Sequence, residues 1–221
     1  MKSRQEIKAS AKEALRAQYG TAVLLVVMYT LASIALNILN ALVAASTSNE
    51  AVQLIVSLAG TCILFVIFIN FIGENIKVYR REQASPGAVF SGMKVNFLRK
   101  LGGTVWMCIL IFLWTLLLII PGIIKMFSYY FTQFILADCP NVTANQAIKI
   151  SMRITNGYKW DIFYFGLTFI GWMLLSILTL GLLYIFYVGP YFWAAFGGLY
   201  IELRDKAIAD GRVTREELGM P

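Results

Sequence analysis

The sequence predicts an all-α, polytopic membrane protein: six transmembrane helices in three hairpins, with amphipathic helices on the cytoplasmic side. Three observations carry this. Charged residues make up 14% of the 221 positions, against about 25% in a soluble domain, and the mean hydropathy is +0.70. Apolar runs long enough to be spans arrive in pairs. Lys and Arg fall almost wholly on one side of the layout those pairs imply.

In chain order, segment 1–19 places Ile7, Ala11, Ala14, Leu15 and Tyr19 on one helical face with Lys and Arg opposite, which reads as a cytoplasmic amphipathic helix. Hairpin 1 (21–73) contains apolar runs 21–45 and 51–73. A helix needs about 20 mostly apolar residues to cross the hydrocarbon core. The first run is longer than the roughly 7–15 apolar residues of a signal peptide, so it reads as a signal anchor. Cytoplasmic segment 74–100 contains Ser85-Pro86, an N-cap followed by proline at the first helical position, and then Phe90, Met93, Phe97 and Leu101 at helical spacing.

Hairpin 2 (101–137) pairs run 101–120 with the shorter run 123–137, and Pro121-Gly122 supplies the outer turn. In cytoplasmic segment 138–161, Thr143-x-x-Gln146 is a capping box opening a helix whose Ala147, Ile150 and Ile154 share a side. Hairpin 3 (162–201) contains runs 162–180 and 182–201, and Pro190 should kink the second. The polar tail is 202–221. The unit of surface helix, span and span thus occurs three times. A threefold internal repeat would account for this, and so would the basic and aromatic flanks common to membrane hairpins.

All but Lys125 of the 19 Lys and Arg residues lie in the four segments assigned to one side. The opposite loops, 46–50 and 180–181, carry none. Under the positive-inside rule both termini are cytoplasmic.

Composition also excludes chemistries. There is no His, so Ser-His-Asp and Cys-His nucleophiles, His-ligated metals and intramembrane metalloprotease mechanisms are removed. Cys62, Cys108 and Cys139 are too few and too dispersed for a metal cage or a disulfide framework. No catalytic residue, metal or cofactor is expected. The net charge of +7, in a chain this apolar, points to anionic lipid headgroups at the cytoplasmic face rather than to nucleic acid. A membrane-protein partner is compatible with it.

Polar residues inside spans mark either solute contact or helix packing. Asn37 and Asn40 lie three apart and share a face, Gln133 lies in the fourth span, and Lys125 is the one basic residue on the far side. Lys125 should snorkel to the outer interface. Glu74, Asp138, Asp161 and Glu202 fall at span ends, where water access is expected. Ala194 and Gly198 form a small-xxx-small pair that fits packing within one chain or between two.

Several motifs form an ordered set. They are Ile120-Pro121-Gly122-Ile123-Ile124, Tyr129-Tyr130, Ile135-Leu136-Ala137-Asp138-Cys139-Pro140, Gly157-Tyr158-Lys159-Trp160, Thr179-Leu180-Gly181 and Gly189-Pro190-Tyr191. Over 119–202 the chain resembles the bacterial multi-pass membrane family catalogued as domain of unknown function 975, itself distantly similar to the membrane domain of some glycerophosphodiester phosphodiesterases. The N-terminal half resembles it in layout. The resemblance implies a six-helix protein of the bacterial cytoplasmic membrane. It supplies no activity and no catalytic residues.

The functional expectation is a non-enzymatic interaction or lipid-associating module. The alternative is a small transporter or channel for a hydrophobic or amphipathic solute, for which Asn37, Asn40, Gln133, Lys125 and the kinks at Pro121 and Pro190 would be the site.

Overall fold

The computed structural model describes residues 2–220, and no strand occurs among them. The helices are α1 (Arg4–Ala17), α2 (Tyr19–Ser46), α3 (Glu50–Arg80), α4 (Ala88–Ser91), α5 (Phe97–Leu117), α6 (Ile119–Tyr129), α7 (Thr132–Asp138), α8 (Ala144–Thr155), α9 (Lys159–Leu167), α10 (Ile170–Leu178) and α11 (Gly189–Ala209). Five stretches are long and apolar enough to cross a membrane: α2, α3, α5, α6 with α7 (Ile119–Asp138), and α9 with α10 (Lys159–Leu178). The chain is therefore an all-α, membrane-embedded protein.

The last apolar run stands apart from those five. It begins with a π-helical turn, Tyr184–Val188, and continues as α11. Tyr, Trp, Gly and Pro dilute its apolar content, and its surroundings explain why that is tolerated. α11 touches α1, α2, α3 and α8 and buries Ala194, Ala195, Phe196, Gly197, Gly198, Leu199, Tyr200 and Leu203. A helix surrounded by protein need not match lipid. A Cβ added at Gly197 would lie 3.5 Å from Asn75 O and Ile76 Cα of the α3 backbone, and one at Gly198 would collide with the Tyr79 ring. The Ala194–Gly198 pair thus serves packing inside one chain.

The packed core gathers at the charged ends of the helices. Ile7, Ala11, Ala14 and Leu15 of α1 are buried, with α1 against α11 and α3. The expected apolar face is therefore correct through Leu15, but protein covers it rather than lipid. Tyr19 departs from the expectation. Gln18 leaves helical geometry at ψ 36°, and Tyr19 opens α2 with its ring half exposed. The Thr143–Gln146 capping box is present, and Ala147, Ile150 and Ile154 are buried.

Segment 74–100 differs most from expectation. α3 does not stop near Gly73 but runs to Arg80, with Lys77 and Arg80 in its last turn, where cations complement the helix dipole. The helix expected after Ser85-Pro86 is reduced to α4 and a 3-10 turn, Gly92–Lys94. Gly87 and Gly92 bracket it, and Asn96 adopts φ 53°. Val89 is buried while Phe90 is exposed. The bend between α5 and α6 also moves. It falls at Leu118, which is extended, and Pro121 sits in the first turn of α6. There the missing proline N–H costs no helical bond, because the first turn's N–H groups have no intrahelical acceptor.

Pro190 lies at the start of α11, directly after the π turn. The ring removes the bond that would satisfy the Phe186 carbonyl and crowds it. The helix widens, so that the Gly189 N–H reaches the Tyr184 carbonyl. The Tyr19 hydroxyl donates to the freed Phe186 carbonyl. Gly189 is required here, since a Cβ would lie 2.8 Å from the Tyr184 oxygen.

Candidate functional site

Polar groups concentrate where α3, α7 and α11 meet. Asp138, at the end of α7, has a side chain only 5% exposed. Its carboxylate accepts a hydrogen bond from Arg80 Nη2 at 2.7 Å, with Arg80 Nη1 in ion-pair contact at 2.7 Å, one from Arg204 at 2.8 Å, and one from the Tyr200 hydroxyl at 3.2 Å. Arg204 also donates to Asp205 at 2.7 and 2.9 Å. The acid holds two cations from different helices, and a fork-shaped guanidinium suits such bidentate pairing.

A second polar group ties α3 to α5. Lys100 is buried; its ammonium donates to Asn70 Oδ1 at 2.6 Å and Gly92 O at 3.1 Å, while Asn70 Nδ2 donates to Val89 O. Glu74, also buried, accepts from Lys77 at 2.7 Å and from the Ser85 N–H at 2.8 Å. These contacts explain the irregular path of 82–96: its backbone groups are claimed by side chains of α3 and α5. Arg99 donates to the Leu136, Cys139 and Val142 carbonyls, and so satisfies acceptors at the end of α7 and in the loop that follows it. Glu74, Lys77, Arg80, Lys100 and Asp138 line a cavity of about 420 Å³.

Glu74 and Asp138 are thus not open to water, as expected of span-end carboxylates, but buried and paired. Asp161 and Glu202 remain partly exposed, paired with Arg4 at 3.4 Å and Lys2 at 3.0 Å. Burial and the neighbouring Asp138 push the Cys139 thiol up to about 11, which leaves it a protonated thiol rather than a nucleophile.

The positions singled out in the sequence are not brought together. Asn37 is exposed, and its amide donates to the Ser33 carbonyl one turn back at 2.8 Å. Asn40 is half-buried on the same helix. Gln133 lines a cavity of about 190 Å³ whose other walls include Phe68, Met107, Met126, Tyr129 and Trp193. Lys125 lies with its ammonium 4.7 Å from the Trp114 ring centroid and 5.8 Å from that of Tyr129. Pro121 and Pro190 lie in the first turns of α6 and α11.

The interior of the bundle carries clusters of aromatic side chains. Tyr29 stacks on Phe71 at 5.2 Å, and Phe68 and Phe71 meet Trp193 edge-on at 5.1 and 5.4 Å. Phe196 contacts Tyr130, Phe165 and Phe192, and Phe131 contacts Tyr200.

Fold and site together define a membrane-embedded helical protein with an aromatic interior and a buried ion-pair cluster at one end. The chain belongs to the family described as Protein of unknown function (DUF975), whose family model matches residues 1–128 and 103–206. The match therefore takes in the N-terminal half, where the sequence resembled the family in layout alone. No curated protein and no solved structure matches the chain.

Proposed function

We propose that this protein is a non-enzymatic, lipid-associating module of the bacterial cytoplasmic membrane. In this reading it has six spans, with the π turn and α11 as the sixth, arranged in three hairpins with both termini cytoplasmic. The observation that carries the reading is the aromatic packing of the interior; Asn37 is exposed and bonds its own helix, and Gln133 borders a small cavity walled largely by aromatic and Met side chains. The outer surface supports it, with exposed Leu and Ile along α2, α5, α6 and α10. The charge layout supports the orientation.

The test is extraction in mild detergent followed by mass spectrometry of what stays bound. Co-purifying phospholipid is expected; a stoichiometric protein partner would replace lipid association by an interaction role. Orientation is checked by cysteine labelling: a cysteine at Ser48 should react from outside and one at Ser85 from inside. The reverse pattern would overturn the topology.

One observation favours the transport alternative: the cavity lined by Glu74, Lys77, Arg80, Lys100 and Asp138. Solute flux into liposomes containing the purified chain, lost on Lys100→Met, would move the assignment to a carrier.

A further inference from the structure

A different cavity, also about 420 Å³, lies where α1 passes into α2. It is lined by Lys12, Leu15, Arg16, Tyr19, Tyr187 and Tyr191, and its volume falls within the roughly 300–1,000 Å³ typical of small-ligand sites. Its charge differs from that of the Asp138 cavity. There the acids Glu74 and Asp138 already hold Lys77 and Arg80. Here two cations line the wall and no carboxylate does.

The cations come from one stripe. Lys8, Lys12 and Arg16 recur every fourth residue on α1, an arrangement in which like charges repel. Other basic residues of the same terminus are neutralised, Lys2 by Glu202 and Arg4 by Asp161. Among the described residues, Lys8, Lys12 and Arg16 have no carboxylate within ion-pair distance. Instead Lys8 lies 4.4 Å from the Phe169 ring centroid and Lys12 5.3 Å from that of Tyr191. Burial and the charge of Lys12 push the Lys8 ammonium below its usual value, as expected of a cationic stripe with no anion. The Tyr19 hydroxyl, bonded to Phe186 O, fixes the floor of the cavity to the π turn. Exposed Leu24, Leu182 and Phe186 lie beside it in sequence and offer apolar surface to an acyl chain.

We propose that this cavity binds the phosphodiester of an anionic phospholipid, with Lys12 and Arg16 on the phosphate oxygens, the tyrosines around the headgroup and the acyl chains along the apolar shoulder. The assignment rests on the lipid-associating reading above and gives it a location and a headgroup class. Phosphate is the chemistry recognised; the apolar shoulder is what favours a lipid as its source over free phosphate.

The test uses the full chain in neutral detergent, mixed with phosphatidylglycerol or phosphatidylcholine, with retained lipid counted by native mass spectrometry. Wild type should prefer phosphatidylglycerol. The double substitution Lys12→Gln/Arg16→Gln should lower its retention by about tenfold or more, as expected for two basic groups acting on an anionic lipid. Lys94→Gln/Lys149→Gln, which removes two exposed charges elsewhere, should leave retention unchanged. The charge-preserving pair Lys12→Arg/Arg16→Lys should restore binding, which separates loss of the site from loss of the fold. Unchanged retention in Lys12→Gln/Arg16→Gln would overturn the site and leave lipid association standing. A wild type that retains neither lipid would overturn both. Displacement of phosphatidylglycerol by millimolar inorganic phosphate would overturn the lipid assignment in favour of the free anion.

Discussion

At one end of the bundle Asp138, Arg80, Arg204 and Tyr200 share buried hydrogen bonds across three helices. At the other end Leu116, Leu117, Ile119 and Ile120 stand exposed around the bend at Leu118, and Leu180 is 94% exposed at the tip of the next turn. The first region is specified by polar contacts between distant parts of the chain. The second packs only against its neighbour in sequence, as where Gly122 of α6 lies close on Thr115 of α5, and presents its outer face to the solvent. In a bilayer such apolar ends need no protein partner, and backbone groups are satisfied inside each helix. Uniqueness of fold therefore resides at the charged end, while the apolar end needs only length and hydrophobicity.

The strongest way to break this comparison is Asp138→Ala. It leaves two guanidinium groups facing each other without their acid, and removing one partner of a buried pair destabilises by about 3–5 kcal/mol. Leu116→Ala, at an exposed position, should change stability by no more than about 0.5 kcal/mol. Unfolding of both variants in the same mild detergent, followed by tryptophan fluorescence, measures the contrast. Equal shifts would mean that the ion-pair cluster is no more structural than the rim.

The same division governs what the sequence discloses. Apolar runs are legible because lipid solvation is a local property of each run. The α8 capping box and the α1 face are legible because their partners lie within one or two turns. The charged end is not, because its partners are distant in sequence. Arg80 meets Asp138 across 58 residues and Arg204 meets it across 66. A sum of Lys and Arg treats every basic residue as a water-facing marker of sidedness, yet Lys100 and Arg204, which fall in segments the sequence assigns to the cytoplasm, are both buried. One local signal was available. Glu74, Lys77 and Arg80 recur every third residue, which places them along one side of a helix that continues past the apolar run. The helix expected over 86–101 failed for a related reason: Gly87, Gly92 and Asn96 break the period that Phe90, Met93 and Phe97 suggest.

The tail sharpens the comparison at an intermediate scale. Val213 and Leu218 are buried, and Glu217 accepts from Arg153 at 3.0 and 3.1 Å and from the Thr214 N–H at 3.0 Å. The Arg153 and Thr214 bonds hold the Glu217 carboxyl below its usual 4.5. A carboxyl lowered on folding stabilises the docked tail above that usual value and loses its contribution as pH falls through the lowered one. Amide protection over 213–218, corrected for the pH dependence of intrinsic exchange, should therefore fall below about pH 4.5, with little change between pH 6 and 8. Glu217→Gln should exchange faster at neutral pH and lose the acid response. An acid response that persists in Glu217→Gln would assign it to another group.

A small effect belongs to Lys125, the one cation away from the charged end. Its ammonium has aromatic faces, Trp114 and Tyr129, rather than a carboxylate, and no acid lies within ion-pair distance among the described residues. A cation–π contact at a partly exposed site contributes about 0.5–1 kcal/mol. Lys125→Ala should thus leave insertion intact and shift unfolding by far less than Asp138→Ala. Lys125→Met separates the parts, since it keeps the apolar stem over Trp114 and removes the charge. If Met restores the wild-type midpoint, the residue acts through packing. If Lys125→Ala destabilises as much as Asp138→Ala, a buried charge is paired at the apolar end as well, the two-region description fails, and a polar path through the bundle becomes the better account of what this protein does.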